Sequence, residues 1–440
     1  GESLTLARGG SAVSKGCEQP QSGGKGARAG VCIGLRVVEG AAFVAVPLAG
    51  MTLAQMGADV IRFDRLGGGL DATRWPVAPN GLSHFWAGMN KGKRSIAVDM
   101  RSDRGRELVT EIITAPGEGA GMFMTNLKVR GWMDHETLSK RRKDLIMVAL
   151  KGDRHGRPAV DYTVNPALGF PAITGPAGST DPVAHALPAW DCIAGQMMVS
   201  GLLAAERHRL RTGEGQDVEF SLKDVAAAML GNLGIIGDAA TGGAKRGKSG
   251  NALYGAYGQD FICADGERVM VIGLTQRQWQ GIVKVTGMGA RIDQLAASLG
   301  ANFADEGQRY MHRDAITEVL RPWFAQRSSA EIGTLFDDNS LTWSVFRDFE
   351  SALAQDPDLS TDNPIFSDIE TPGLGKFLVP GSPLNFSQFE REEPVPTPTL
   401  GMHTEEILGD VVGLPDVEIA QLFDSGTVQS PNYAKARPAA

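Results

Sequence analysis

The sequence predicts an α/β protein with an open, mainly parallel sheet covered by helices on both faces, followed by a smaller α+β domain. Three observations predict it. Between residues 34 and 151, short apolar runs alternate with helix-length segments through Gly-rich joints, the pattern of successive βαβ units. Beyond about residue 259 that alternation gives way to one strand-like run and several helices. The 440-residue chain, 42% hydrophobic and 21% charged, can bury more than one core, and this composition excludes disordered, collagenous and coiled-coil readings.

Each element follows from local signals. Residues 1–30 are rich in Gly and Ser, contain no aromatic residue and lack the apolar core of a signal peptide, so they read as a disordered tail or leader. LRVVE from Leu35 is a strand, Pro47 opens a helix that Gly57 stops, and DVIRFD (59–64) is the next strand. SIAVDM (95–100) is a third strand, and Asp103 is expected to cap a helix with Leu108, Ile112 and Ile113 on one face. GMFMTN (121–126), a helix near 134–141 and LIMVAL (145–150) continue the series. A long helix from Asp191 to Arg211 ends at Gly213 in a left-handed cap, then come the strand QDVEFSL and a helix from Ser221. Residues 31–230 are thus expected to form a large Rossmann-like domain, and 231–258 a glycine-rich loop or linker. The smaller domain, 259–355, holds the strand RVMVIG and helices near 275–286, 312–326 and 328–336, the last opened by the capping box Ser328 to Glu331. Residues 356–400 are crowded with Pro and Gly and read as an extended connection. Two short helices end the 356–440 segment, which returns to the large domain.

Charge and cysteines narrow the function. Lys and Arg total 43 against 51 Asp and Glu, a net charge of −8, so the chain lacks the basic excess that nucleic acid or anionic lipid needs. Gly40 to Ala58 is uncharged, but it is broken by Pro47, Gln55 and glycines, so no membrane span is expected. Cys17, Cys32, Cys192 and Cys263 form no CxxC pair, so neither a disulfide framework nor a thiolate metal site is expected, and a cytoplasmic location fits.

Gly242 through Ser249 matches the P-loop expression, but a working P-loop joins a buried strand to a helix start, and here glycines follow. There is no GxSxG elbow and no HExxH pair. Asp191 stands in LPAWD at the head of the long helix whose far end carries Arg207, Arg209 and Arg211. Read alone it is a helix cap, kept ionised by free amides and the helix dipole.

Five stretches change that reading. GLRVVEGAAFVAVPLAGMTLAQMGADVIRFDRLGGG (34–69), NKGKRSIAVDM (90–100), LPAWD (187–191), LLAAERHRLRTGEGQDVEFSLKD (202–224) and GSPLNFS with LGMHTEEIL (381–408) resemble, in order and spacing, the family III CoA-transferases. The resemblance spans nearly everything after the tail. It implies that Asp191 is a covalent nucleophile forming an aspartyl-CoA thioester through an anhydride. It implies a CoA groove lined by Arg65, Val98, Arg101, Asn126, Arg130 and Lys151, each at or just past the end of an expected strand. It implies a substrate loop containing Tyr254, Gly255, Tyr257 and Gly258, in which the two tyrosines either narrow the loop or are ordinary packing aromatics, and an interlocked, ring-like homodimer. No permanently bound cofactor and no metal are implied, with CoA as part of the substrate, the thioester of a small dicarboxylic acid.

Departures from the family bear on the substrate. Racemases of the family carry a histidine where AVDYTVN (159–165) has Val160, and neither His155 nor His185 has an expected role, which disfavours α-proton exchange. Oxalate-using members place a glutamine at Val44 and consecutive glycines within GNALYGAYG (250–258). The branch most resembled shifts CoA between the C1 and C4 carboxyls of mesaconyl-CoA. The alternatives are transfer between separate acids and, further off, racemisation or nucleotide binding through Gly242–Ser249.

Overall fold

The structure is a computed structural model that describes residues 30–431; the expected tail, apart from Gly30, and Cys17 lie outside the described residues. Six strands, β1 (Arg36–Gly40), β2 (Asp59–Asp64), β3 (Arg94–Val98), β4 (Met122–Thr125), β5 (Ile146–Lys151) and β6 (Gln216–Ser221), run parallel. A small antiparallel sheet follows, made of β7 (Tyr257–Ile262), β8 (Arg268–Gly273) and β9 (Thr342–Val345). The hairpin β10 (Phe366–Thr371) and β11 (Gly375–Pro380) precedes β12 (Val428–Gln429), which returns to pair antiparallel with β3. The large sheet therefore reads β12-β3-β2-β1-β4-β5-β6.

The inner strands of the large sheet are buried on both faces, which is why they are mostly apolar, whereas the edge strand β6 alternates between exposed and partly buried residues. One face packs Val37, Val60, Met122, Ile146 and Val148 against the helices Ala45–Gln55, Ala189–Thr212 and Leu222–Asn232. The other packs Val38, Ile61, Phe123 and Met147 against Asp103–Thr114 and the C-terminal helices Thr404–Asp410 and Asp416–Asp424. A third cluster, with Phe261 and Phe324 stacked at 3.9 Å, forms the core of the small domain.

Several local expectations are corrected. Ser102, not Asp103, caps the 103–114 helix, because its hydroxyl accepts from the Gly105 amide while Asp103 is already helical. The segment 356–400 is not wholly extended: FSDIET and GKFLVP pair across a turn at Pro372–Leu374. The glycine-rich stretch contains the helix Ile235–Ala240 and ends at the start of β7, so Tyr257 and Gly258 are strand residues.

Candidate active site

The sheet reverses its strand order between β1 and β4, and ligands of open α/β sheets collect outside the carboxyl ends of the strands at such a switch point. The chain leaving β1 at this point is tightly braced. Asn126, just past β4, accepts from the Ala42 amide at 3.1 Å and donates to the Ala42 carbonyl at 2.9 Å. Asp71 accepts from the Phe43 amide at 2.9 Å and holds Phe43 at φ 69, a left-handed conformation that bulky residues rarely adopt. Beneath lies a buried ionic cluster. Arg62 pairs with Asp64 and with Asp71, each at 2.9 Å, and donates to the Ala41 carbonyl at 3.0 Å. Lys93 pairs with Glu39 at 2.8 Å and donates to the Pro47 carbonyl at 2.9 Å. Breaking such a pair from one side costs about 3–5 kcal/mol, so the cluster fixes the turn that opens the 45–55 helix.

The helix Ala189–Thr212 brings Asp191 to this turn. It packs beside the 45–55 helix, and both precede parallel strands, so both start at the carboxyl edge of the sheet. Gly195 permits the approach: a Cβ there would stand 2.6 Å from the Ala45 carbonyl oxygen. Asp191 is one turn earlier on the same face as Gly195. At the far end buried Arg209 pairs with Glu206 at 2.6 Å and donates to the carbonyls of Ala120, Gly121 and Asp144, tying the helix to the starts of β4 and β5.

The Asp191 carboxylate does not cap its helix. That task belongs to Asp161, at the start of the helix Asp161–Ala167, whose Oδ2 accepts from the amides of Trp190 at 2.8 Å and Asp191 at 3.2 Å. Its Oδ1 meets Nε2 of His185. Trp190 is locked in turn, its indole donating to Asn165 at 3.1 Å with its ring 5.3 Å from Phe170. Burial, then the Asp161 carboxylate, push Asp191 up to about 7, while His185 pulls it the other way. The expectation of a fully ionised aspartate is therefore corrected: the amides that would hold its charge are occupied by Asp161. Sequence reading missed both Asp161 and His185, which lie 30 and 6 residues from Asp191 with no spacing signal linking them.

Arg65, Arg101, Asn126, Arg130 and Lys151 all lie along the carboxyl edge of the large sheet. Arg65 donates to the Gly68 carbonyl at 2.8 Å, Arg101 pairs with Asp99 at 2.9 Å and is largely exposed, and Lys151 pairs with Glu219 at 2.7 Å. Arg130 is exposed. Asn126 spends its amide on Ala42, which makes it a brace. Val98 is 0% exposed and pairs with Val428, so its side chain faces the core. Tyr254 is exposed, with the Arg246 guanidinium 3.7 Å over its ring, and Gly255 takes φ 80. Tyr257 and Gly258 correct the expectation of an open loop. The Tyr257 ring is buried beside Trp279 with its hydroxyl 2.9 Å from Thr317, and a Cβ at Gly258 would stand 2.7 Å from Leu253. The Gly242–Ser249 match follows a helix and leads into a loop, without the strand-to-helix setting of a P-loop. Among the described residues, no cluster of three or more His, Cys, Asp or Glu side chains could hold a metal ion, and no helix is long and apolar enough to cross a membrane.

The profile of CoA-transferase family III matches residues 33–404. The chain is 54% identical over 406 residues, 92% of its length and 99% of the relative's, to 2-methylfumaryl-CoA isomerase of Chloroflexus aurantiacus. It is 26% identical over 396 residues, 86% of this chain and 95% of the other, to succinyl-CoA:mesaconate CoA-transferase of Haloarcula hispanica. Its fold is similar to a crystal structure of a CAIB/BAIF family protein from Brucella suis, with TM-score 0.71 and 24% identity, covering 87% of this chain and all of that one.

Proposed function

The chain belongs to CoA-transferase family III, and from that premise we propose that it is an isomerase moving CoA between the C1 and C4 carboxyls of mesaconyl-CoA, 2-methylfumaryl-CoA, with Asp191 as the nucleophile. The observation that carries the substrate is the 54% identity, over 92% of the chain, to a 2-methylfumaryl-CoA isomerase. The geometry of Asp191 supports its role. The carboxylate is half-buried, takes no hydrogen bond from its own helix and stands at the switch point of the sheet. A carboxylate stripped of donors and water is a stronger nucleophile than a solvated one.

The reaction runs as covalent catalysis. An Asp191 oxygen attacks the C1 thioester carbonyl, the C–S bond breaks and CoA departs as the thiolate, leaving a mixed anhydride. The thiolate attacks the aspartyl carbonyl of the anhydride, which forms the aspartyl-CoA thioester and frees the C1 carboxylate. The C4 carboxylate attacks that thioester and expels the thiolate again, giving the second anhydride. Attack of the thiolate on the C4 carbonyl restores Asp191 and completes the transfer, with no net change in protons. CoA is held along the carboxyl edge, where Arg65, Arg101, Arg130 and Lys151 offer separate cations to its phosphates. Tyr254 and Gly255 form the part of the substrate loop nearest the acyl group. The Gly250 amide donates to the Gly175 carbonyl at 3.1 Å, a contact that links this loop to the run leading into Asp191. The assembly is an interlocked homodimer, whose mass light scattering would report. Three free cysteines, Cys32, Cys192 and Cys263, support a cytoplasmic location.

The test is to give the protein C1 mesaconyl-CoA and follow the C4 isomer by chromatography and mass spectrometry. Isomer should accumulate, and hydroxylamine should trap a hydroxamate at Asp191. Asp191→Asn should lower turnover by at least about 1,000-fold. A wild-type rate in that variant would remove Asp191 from the chemistry.

A further inference from the structure

We propose that Asp161 is the positioning residue of this reaction and that its pairing with His185 sets the charge that faces Asp191. The proposal rests on Asp191 being the nucleophile. Asp161 is 1% exposed, and all three of its contacts point to the head of the 189–212 helix: the Trp190 amide, the Asp191 amide and Nε2 of His185. A helix start has free amides that need acceptors, and these are commonly supplied by the residue just before the helix. Here Pro188 occupies that place and has no side-chain acceptor, so the acceptor comes from a residue 30 positions away. The consequence is geometric. The backbone that carries the nucleophile is fixed by a carboxylate anchored in a second helix, and a bridging carboxylate admits little rotation of the first turn.

The second consequence is electrostatic. Oδ2 of Asp161 holds the two amides while Oδ1 meets Nε2 of His185, so one carboxyl joins the imidazole to the backbone that carries Asp191. His185 is partly exposed, with its ring edge-on to Tyr162 at 5.9 Å. The elements packed against Asp191 bring few other charges. The 45–55 helix has no ionisable side chain, the 161–167 helix contributes Asp161 and Tyr162, and Cys192 follows Asp191 directly. Lys223 and Asp224 of the 222–232 helix are exposed, Lys151 pairs with Glu219, and the Lys248 ammonium lies against Gly175, in the run leading to His185. Asp161 and His185 are the groups whose charges act on Asp191, in opposite senses. His185 favours the ionised form of Asp191, and Asp161 opposes it while contacting the His185 ring.

The test compares the full chain with Asp161→Asn, His185→Gln and Asp191→Asn, measuring kcat and KM for mesaconyl-CoA between about pH 5 and 9, with melting curves alongside. Asp161→Asn should lower kcat by about 100-fold, the scale on which misplaced reacting groups lose rate, with little change in KM. Its acidic limb in kcat should move to lower pH, because a negative charge beside Asp191 is gone. His185→Gln keeps a donor for Asp161 but loses the positive charge, so its acidic limb should move to higher pH. A merely structural role would not displace the two limbs in opposite directions. If Asp161→Asn does not fold, His185→Gln decides alone, and an unmoved limb overturns the proposal. Wild-type kcat and limbs in both variants, with Asp191→Asn inactive, would overturn the positioning role and leave the nucleophile standing. Turnover in Asp191→Asn would overturn the nucleophile assignment itself, whatever the other two variants do.

Discussion

Asp191 shows how one residue's chemistry depends on who occupies its neighbours' hydrogen bonds. A carboxylate at a helix start gains about 0.3–1 kcal/mol from the dipole and free amides. That gain is small, and here the amides bond to Asp161 instead. Burial and the nearby like charge then prevail, and Asp191 rises to about 7. The sign of the stability effect follows. With its folded value raised above the unfolded one, Asp191 stabilises the fold below the ordinary carboxylate range and loses that contribution as pH climbs to about 7. Asp191→Asn should therefore melt higher than wild type at about pH 8, with the gap closing toward pH 4. Calorimetry at the two pH values measures it, and an equal or lower melting temperature for the variant at the higher pH would show that the native carboxylate is well solvated or paired. Neither Asp161 nor His185 could have been read from the sequence as partners of Asp191, since only folding brings positions 161, 185 and 191 together.

Among elements, the 189–212 helix places Asp191 because both of its ends are fixed: Arg209 binds carbonyls at the starts of β4 and β5, and Gly195 lets the helix settle against the 45–55 helix. Gly195→Ala separates propensity from packing. In an unconstrained helix interior the alanine would stabilise by about 0.5–1 kcal/mol. Here its methyl would stand 2.6 Å from the Ala45 carbonyl oxygen, a backbone atom that cannot rotate aside, so overpacking of about 1–3 kcal/mol should win. The variant should melt lower and lose about tenfold or more in kcat, since the helix can relieve the contact only by shifting Asp191. A higher melting temperature with full activity would mean that the two helices slide freely. The helix itself was legible because Gly213 ends it at φ 78 and the strand after it is clear. The parallel strands were legible for a related reason: burial on both faces leaves MFM and IMVAL as unbroken apolar runs. The hairpin β10–β11 was hidden by the prolines around it, although FSDIET and GKFLVP flank a Pro-Gly turn. The small helix at Asp161–Ala167 was hidden by Pro166 near its end.

At the scale of the whole molecule, the carboxyl edge of the large sheet is legible from strand ends alone, because Arg65, Arg101, Arg130 and Lys151 each follow or end an apolar strand. The end-of-strand position of Val98 does not reveal which way its side chain points, and it points into a core, as does Tyr257, which packs as an ordinary core aromatic. What this architecture implies for the reaction is that CoA should migrate without release of the dicarboxylate. Holding the free acid beside the aspartyl thioester replaces an encounter from solution with an effectively unimolecular step, worth up to about 7–11 kcal/mol in well-oriented cases. Escape would forfeit that advantage and leave the aspartyl thioester open to water. The braced turn at Ala42 and Phe43 and the doubly fixed 189–212 helix are rigid supports of the kind that such orientation needs. Isotope-labelled free mesaconate, added in excess to unlabelled mesaconyl-CoA, measures the escape directly. Label should enter the product ester at no more than about 1% of the isomerisation rate, the margin set by an effective concentration far above any free acid supplied. Incorporation at a rate comparable to isomerisation would instead make the protein an intermolecular transferase, acting through the same aspartate but on a pocket that opens after every first half-reaction.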